Sequence, residues 1–219
     1  SPEVLARYKA MFRGTFYRRF VLGEWAAAEG LVYDFFGPEL VQPVPESLDG
    51  PWYISCDYGT VNPTSMGLWG QKGGVWYRTA EFYYDSRKTG RQQTDGEYAD
   101  DLARLAGGRD IRGVVLDPSA ASFREELIRR GWTVYRAENE VLSGIRRTAE
   151  LLRAGQLVIC SPCEDAIREF GLYRWDTAAT GDRVVKEHDH AMDDIRYFAV
   201  TVASRRSEGF FAGAVERSG

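Results

Sequence analysis

Histidine and cysteine are scarce in this chain of 219 residues, with two of the first and three of the second. Three cysteines cannot build the framework of a disulfide-stapled domain. Cys160-Ser-Pro-Cys163 stands alone, without a second cysteine pair or a histidine at finger spacing, and so offers no zinc module. Cys56, Cys160 and Cys163 read as structural thiols of a reducing compartment. No apolar run approaches the roughly 18–20 residues of a membrane span, and no secretory leader pattern opens the chain, so a soluble intracellular protein without a membrane partner is expected. Internal repeats and low-complexity blocks are missing as well.

What is present suits one substantial globular domain with an appendage: 44% of residues are hydrophobic and 27% charged. The net charge of −4 exerts no overall pull on nucleic acid. Bases are locally concentrated, however: Arg7, Lys9, Arg13, Arg18 and Arg19 occur without an acid between Val4 and Gly23, and seven arginines face five glutamates from Arg124 to Arg153. Such stretches either touch phosphates, with Arg146 and Arg147 as candidates, or form solvated faces.

Along the chain, residues 4–12 suggest a short amphipathic helix, followed by the basic and aromatic Phe16-Tyr-Arg-Arg-Phe20. Four prolines between Gly37 and Pro51 mark a connector. Strands are expected at 52–56, 64–71 and 75–84, the last two joined by a Lys72-Gly-Gly74 hairpin. A helix at 96–106, a strand at 111–116, a helix from Pro118 to Arg130 and a strand at 132–135 follow. The helix at 140–154 carries Leu142, Ile145, Ala149 and Leu152 at 3-4-3 spacing and closes at Gly155. A strand at 156–160 precedes a helix with Ser161 as N-cap, Pro162 at N1 and Glu164 at N3. The last helix is expected from Asp189 to about Ser204. Three strands and then alternating helices and strands predict an α/β fold with a mixed sheet: three antiparallel strands, then parallel ones, flanked by helices.

Two strands stop abruptly at an acid. Trp52-Tyr-Ile-Ser-Cys-Asp57 runs into Gly59, Asn62 and Pro63, and Ile111-Arg-Gly-Val-Val-Leu116 runs into Asp117-Pro118. If these strands are parallel neighbours, Asp57 and Asp117 lie side by side at the end of the sheet; otherwise each caps a turn. Both histidines fall in His188-Asp-His190, just before Asp193 and Asp194. Carboxylates gathered without thiolates suit Mg²⁺ or Mn²⁺. Two such ions about 3.5–4 Å apart activate water and stabilise the leaving oxygen of a phosphodiester. A different class also fits part of the pattern, because Asp57-Tyr-Gly-Thr60 matches the phosphate turn of actin-like ATPases and sugar kinases. Those need a second such turn, and Asp117 is followed by Pro118 and Ser119.

Asp57-Tyr-Gly-Thr-Val-Asn-Pro63, Leu116-Asp-Pro-Ser-Ala-Ala-Ser-Phe123, Leu142-Ser-Gly-Ile145 and Lys186-Glu-His-Asp-His-Ala-Met-Asp193 with Arg196-Tyr197 together resemble the nuclease domain of the large terminase subunit of tailed bacteriophages. Phe16-Tyr-Arg-Arg-Phe-Val-Leu-Gly-Glu-Trp25 with Glu29-Gly-Leu-Val-Tyr33 is similar to the segment that follows the motor there. The resemblance implies a ribonuclease H-like fold and a metal-dependent endonuclease that cuts concatemeric double-stranded viral DNA with little sequence specificity. It divides the chain into an arm (1–50), a nuclease domain (51–204) and a tail (205–219). It also implies an ATPase motor in the same full-length chain, a small terminase subunit and a portal protein as partners, and the host cytoplasm as location. No GxxxxGK[ST] phosphate loop is present, so no ATP site is expected in this piece. Resolvases, transposases and a silent docking domain would share the fold.

Carried over, Asp57 and Asp117 fall on the first two metal-binding acids. The third position falls in His190-Ala-Met-Asp193, which makes Asp193 and His190 the candidates. Helical periodicity alone puts Asp194 at the edge of the Ala191, Ile195, Phe198 and Val202 stripe and so favours Asp194. The register of the resemblance favours Asp193, on a helix covered on two faces. His190 binds metal, shuttles a proton or pairs with a neighbouring acid. Lys186 either touches phosphate or pairs with an acid.

Overall fold

The protein was analysed as a computed structural model that describes residues 30–204. The expected N-terminal helix, the basic aromatic stretch and the tail lie outside the described residues. Seven strands form one sheet: β1 (Val41–Gln42), β2 (Trp52–Asp57), β3 (Thr64–Lys72), β4 (Val75–Tyr84), β5 (Ile111–Leu116), β6 (Val134–Arg136) and β7 (Leu157–Cys160), in the spatial order β1-β7-β4-β3-β2-β5-β6. β2, β3 and β4 pair antiparallel. β5 lies parallel to β2 and β6 parallel to β5. On the other flank, β7 lies parallel to β4 and β1 parallel to β7. The antiparallel start and parallel continuation are those expected from the chain.

The helices are α1 (Ser86–Thr89), α2 (Asp95–Ala106), α3 (Ala121–Arg129), α4 (Val141–Arg153), α5 (Glu164–Phe170) and α6 (His190–Phe198), which continues into a π-helical turn at Ala199–Ala203. They cover both faces of the sheet because its strands alternate in side-chain direction. Ile54, Cys56, Met66, Leu68, Val114 and Leu116 pack with Tyr98, Leu102, Phe123 and Leu127 of α2 and α3. Trp69, Trp76, Leu157 and Ile159 pack on the opposite face with residues of α4, α5 and α6. Trp69 and Phe198 stack there with centroids 4.2 Å apart. Among the described residues no helix is long and apolar enough to cross a membrane.

Several local expectations are revised. The helix after β5 starts at Ala121 rather than Pro118, because Asp117 first closes a turn: its side chain accepts from Ser119 N–H at 2.9 Å and its carbonyl from Ala120 N–H at 3.2 Å. β6 begins two residues later than expected, at Val134. The capping box at Ser161–Glu164 does not form. Cys163 is the N-cap of α5, and Glu81 of β4 accepts from Asp165 N–H at 2.6 Å and Ala166 N–H at 3.2 Å. A carboxylate from across the sheet therefore does what a local serine was expected to do. The connector, too, contributes to the sheet: β1 forms its edge, while Tyr33 and Phe36 are buried and Phe36 stacks on Phe170 at 3.8 Å.

Candidate active site

β2 and β5 are parallel neighbours with Cys56 opposite Leu116, so the next residues, Asp57 and Asp117, emerge together at the carboxyl end of the sheet. Asp117 N–H donates to the Cys56 carbonyl at 3.3 Å, which ties the two strand ends together. Since Ile54 and Cys56 face α2 and α3, the alternating residues Ser55 and Asp57 face α6.

α6 crosses that face, and every residue from Ala191 to Phe198 is buried. Its two adjacent acids go in different directions. Asp194 is fully buried against the sheet, where it accepts from Ser55 Oγ at 2.8 Å, Ser65 Oγ, Arg78 Nη1, and Arg78 Nη2 at 3.0 Å. Asp193 faces the cleft beyond the strand ends, where its oxygens meet Arg196 Nη2 at 2.9 Å and Lys186 Nζ at 3.5 Å. Helical periodicity put Asp194 at the edge of the apolar stripe and so favoured it for the site, but that side packs on Ser55, Ser65 and Arg78 and does not open to the cleft.

Two glycines make room for these arginines. A Cβ on Gly67 of β3 would stand 1.9 Å from Arg78 Nη1, and one on Gly144 of α4 would stand 2.7 Å from both Cγ and Cδ of Arg196. Gly144 belongs to the Leu142-Ser-Gly-Ile145 stretch, so that stretch gains a structural reason: it lets Arg196 lie across α4 to reach Asp193.

The cleft has a volume of about 710 Å³ and is lined by Asp57, Asp117, His190, Asp193, Lys186 and Tyr197 among others. His190 Nδ1 lies 2.9 Å from Asp57 Oδ2, and its Nε2 lies 3.9 Å from Asp189 Oδ1. Burial, reinforced by the charges of Asp193 and Asp117, pushes the Asp57 carboxyl up to about 7 even though His190 opposes the shift. Burial lowers the basicity of His190, but the bond to Asp57 and the negative charges of Asp57, Asp189 and Glu169 together outweigh it, and the imidazole sits above its ordinary value. Lys186 likewise sits above its ordinary value: burial lowers it and Asp193 and Asp189 raise it more. His188, also on the cleft wall, has φ 55°, an unusual conformation for a residue with a side chain.

The structure thus gathers Asp57, Asp117, His190, Asp193 and Lys186, but does not bring Arg146 or Arg147 to the cleft. Arg147 on α4 pairs with Glu150 at 3.1 Å and with Ser204 Oγ at 2.8 Å. Sequence reading missed the supports of the site. Arg78 and Glu81 lie on β4, and Glu169 of α5 accepts from Ala191 N–H at 2.7 Å and Tyr83 Oη–H at 2.6 Å, holding the first turn of α6. It also missed Arg87, Lys88 and Arg168 on the cleft wall. Their signal was weak, because strand alternation assigns faces without naming partners in other strands.

The donor set fits a hard divalent cation. Asp57, Asp117 and Asp193 offer only oxygens, and the burial that raises Asp57, together with its repulsion from Asp193 and Asp117, is the kind of penalty a cation relieves. Among the described residues no three His, Cys, Asp or Glu side chains converge closely enough to enclose an ion by themselves.

The strand order, the crossing helix and the acids at the strand ends define a ribonuclease H-like α/β protein. The large terminase of a thermophilic bacteriophage, solved in complex with ADP, is 43% identical to this chain, covering 92% of it and 52% of the terminase, with a TM-score of 0.77. The nuclease domain of the P22 large terminase shares the fold at 18% identity, covering 83% of this chain and 95% of that domain, with a TM-score of 0.64. The large terminase nuclease of thermophilic phage G20c, solved with bound magnesium, does so at 16% identity, covering 78% and 97%, with a TM-score of 0.59. That nuclease was also solved with bound cobalt. No protein-family model and no curated protein matches the chain. The chain spans about half the length of the large terminase it matches at 43% identity. It matches the nuclease domain of the phage large terminase, the family its motifs resemble.

Proposed function

We propose that this chain is the metal-dependent endonuclease portion of a phage DNA-packaging terminase, which cuts concatemeric double-stranded DNA by hydrolysis of a phosphodiester. One observation carries the reading: Asp57 and Asp117 leave adjacent parallel strands together, and Asp193 on the crossing helix faces the same cleft. Asp57, Asp117 and Asp193 are the residues that would hold Mg²⁺ or Mn²⁺, two ions in the full reaction. The ions supply Lewis-acid stabilisation of the phosphate and a nucleophile at neutral pH.

The chain's own residues orient and balance charge. Asp57 fixes the His190 ring through Nδ1, which leaves Nε2 to take or give a proton at the cleft. Arg196 orients Asp193 from the α4 side, and Lys186, 3.3 Å from Asp189 and 3.5 Å from Asp193, offsets the repulsion between them. Residues 1–50 form the arm leading from an ATPase motor in the same full-length chain, 51–204 the nuclease and 205–219 a tail. Double-stranded DNA, the small terminase subunit and the portal are the partners, in the host cytoplasm. Cutting by this portion needs no ATP.

The test is incubation with supercoiled plasmid and Mg²⁺ or Mn²⁺ in the absence of ATP. Nicked and linear products are expected, with none in EDTA or from Asp117→Ala. Undiminished cutting by Asp117→Ala refutes the assignment.

A further inference from the structure

Asp117 lines two concavities. One is the cleft already described; the other, of about 500 Å³, lies between β6 and the start of α3 and is lined by Pro118, Val134, Arg124, Arg136 and one further acid, Glu125, as well as Asp117. The two therefore meet at one of the acids placed at the reaction centre. Each carries bases away from that acid. In the second groove Arg124 and Arg136 are exposed, and among the described residues neither has an ion-pair partner. In the first, Arg87 and Lys88 of α1 are 61% and 71% exposed and, among the described residues, share Asp85 as their ion-pair partner, each at 3.7 Å. Contacts that long across exposed side chains are weak, so these cations are available to another anion.

Other arginines near the site are already committed. Arg168 is paired with Asp165 and lies over the Tyr83 ring, and Arg196 is buried on Asp193. Arg129 and Arg130, on and just after the same helix as Arg124, are bound to Glu126. The bases of the two grooves thus lie on two sides of the acids, while other exposed bases such as Arg112, Arg146 and Arg183 line neither groove.

We infer that the two grooves form one DNA track, in which a phosphodiester backbone crosses Asp117 with Arg124 and Arg136 holding the phosphates on one side of the cut and Arg87 and Lys88 those on the other. The inference rests on the nuclease reading above and extends it to how the substrate lies. The physical logic is charge separation. Acids that gather cations repel a bare phosphate chain, so the backbone has to be held by bases on both sides of them, where phosphate contact releases counterions. The sequence pattern pointed instead to Arg146 and Arg147, which the fold keeps on α4.

The test uses the intact chain, a fluorescein-labelled DNA duplex and fluorescence anisotropy in EDTA, so that binding is read without cleavage. Arg124→Glu/Arg136→Glu and Arg87→Glu/Lys88→Glu are compared with Arg104→Glu, which reverses a base paired with Asp101 on α2, outside both grooves. Each double reversal is expected to reduce the slope of log affinity against log salt by about 2, since each phosphate contact contributes about 0.9 to the slope. With metal restored, each should raise the DNA concentration needed for half-maximal cutting. Arg104→Glu should leave both measures as in the parent. Binding indifferent to both pairs, or lowered equally by Arg104→Glu, overturns the track. If only one pair matters, the crossing at Asp117 is wrong. Asp57→Asn separates the two ideas: full cutting by that variant refutes the nuclease reading, whereas lost cutting with retained, salt-sensitive binding supports both.

Discussion

Replacing Asp57 by asparagine removes one negative charge from a buried group that touches His190 and is repelled by Asp193 and Asp117, while keeping an oxygen for the histidine. In the folded protein the Asp57 carboxyl titrates at about 7 against an ordinary value of 3.8, so the native state holds this proton more tightly than the unfolded chain. Stability contributed by the group is therefore present at low pH and lost as pH rises from near the ordinary value through about 7. His190 adds to the same trend, because an imidazole raised by Asp57 stabilises below its ordinary value and loses that contribution as pH rises through the folded one. The Asp57 interval is worth at most about 4 kcal/mol at about 1.36 kcal/mol per tenfold, and water entry and relaxation reduce what is observed. In EDTA, the stability of Asp57→Asn relative to the parent should therefore increase by about 1–3 kcal/mol between about pH 5 and about pH 8. Urea unfolding at both pH values measures this directly. Added Mg²⁺ should then raise the melting temperature of the parent at the higher pH and leave the variant nearly unchanged. A constant stability difference across that range, or equal stabilisation of both proteins by Mg²⁺, would refute the idea that Asp57 is a strained carboxylate awaiting a cation.

The two acids of α6 should separate cleanly. Asp193→Asn is expected to abolish cutting and metal-induced stabilisation and to cost about 1.5–3 kcal/mol in EDTA, because the amide oxygen still accepts from the buried Arg196 but no longer offsets its charge. Asp194→Asn leaves the buried Arg78 with Glu81, at 3.3 Å, as its remaining counter-charge and should cost about 3 kcal/mol by urea unfolding; cutting lost with Asp194→Asn and kept with Asp193→Asn would exchange their roles. Arg78→Met alone should be at least as destabilised, since it strands Asp194 and Glu81 together, and Arg78→Met/Asp194→Leu should recover only part of the loss because Glu81 still lacks its cation. Gly144→Ala should lower stability by about 1–3 kcal/mol through crowding of Arg196, and slow cutting more than Ala149→Gly, which alters the same helix away from Arg196. Equal cutting rates for the two would sever Gly144 from the site.

The acids at the strand ends were legible because β-formers ran directly into turn residues at Asp57 and Asp117, a pattern set by local chemistry. So were the hairpin after Lys72, the amphipathic α4 and the mixed character of the sheet. The choice between Asp193 and Asp194 was not. A 100° step per residue tells which side of a helix is covered, but not whether the covering surface is apolar, charged or open. Here the sheet beneath α6 presents Ser55, Ser65 and Arg78 from three different strands, and only strand pairing assembles them into a pocket for Asp194. The cap of α5 is similar: Glu81 reaches the backbone of Asp165 from across the sheet, so the local capping box had no need to form.

By itself, then, the sequence determined where strands end in acids, which helix carries the histidine and the third acid, and which family the motifs resemble. Tertiary structure decided which acid faces the cleft, what neutralises its neighbour, and which bases flank the site. The division follows from range. Propensity and periodicity are fixed by residues a few positions apart, whereas a buried charge chooses its partner, and so its direction, among groups that only the folded sheet brings together.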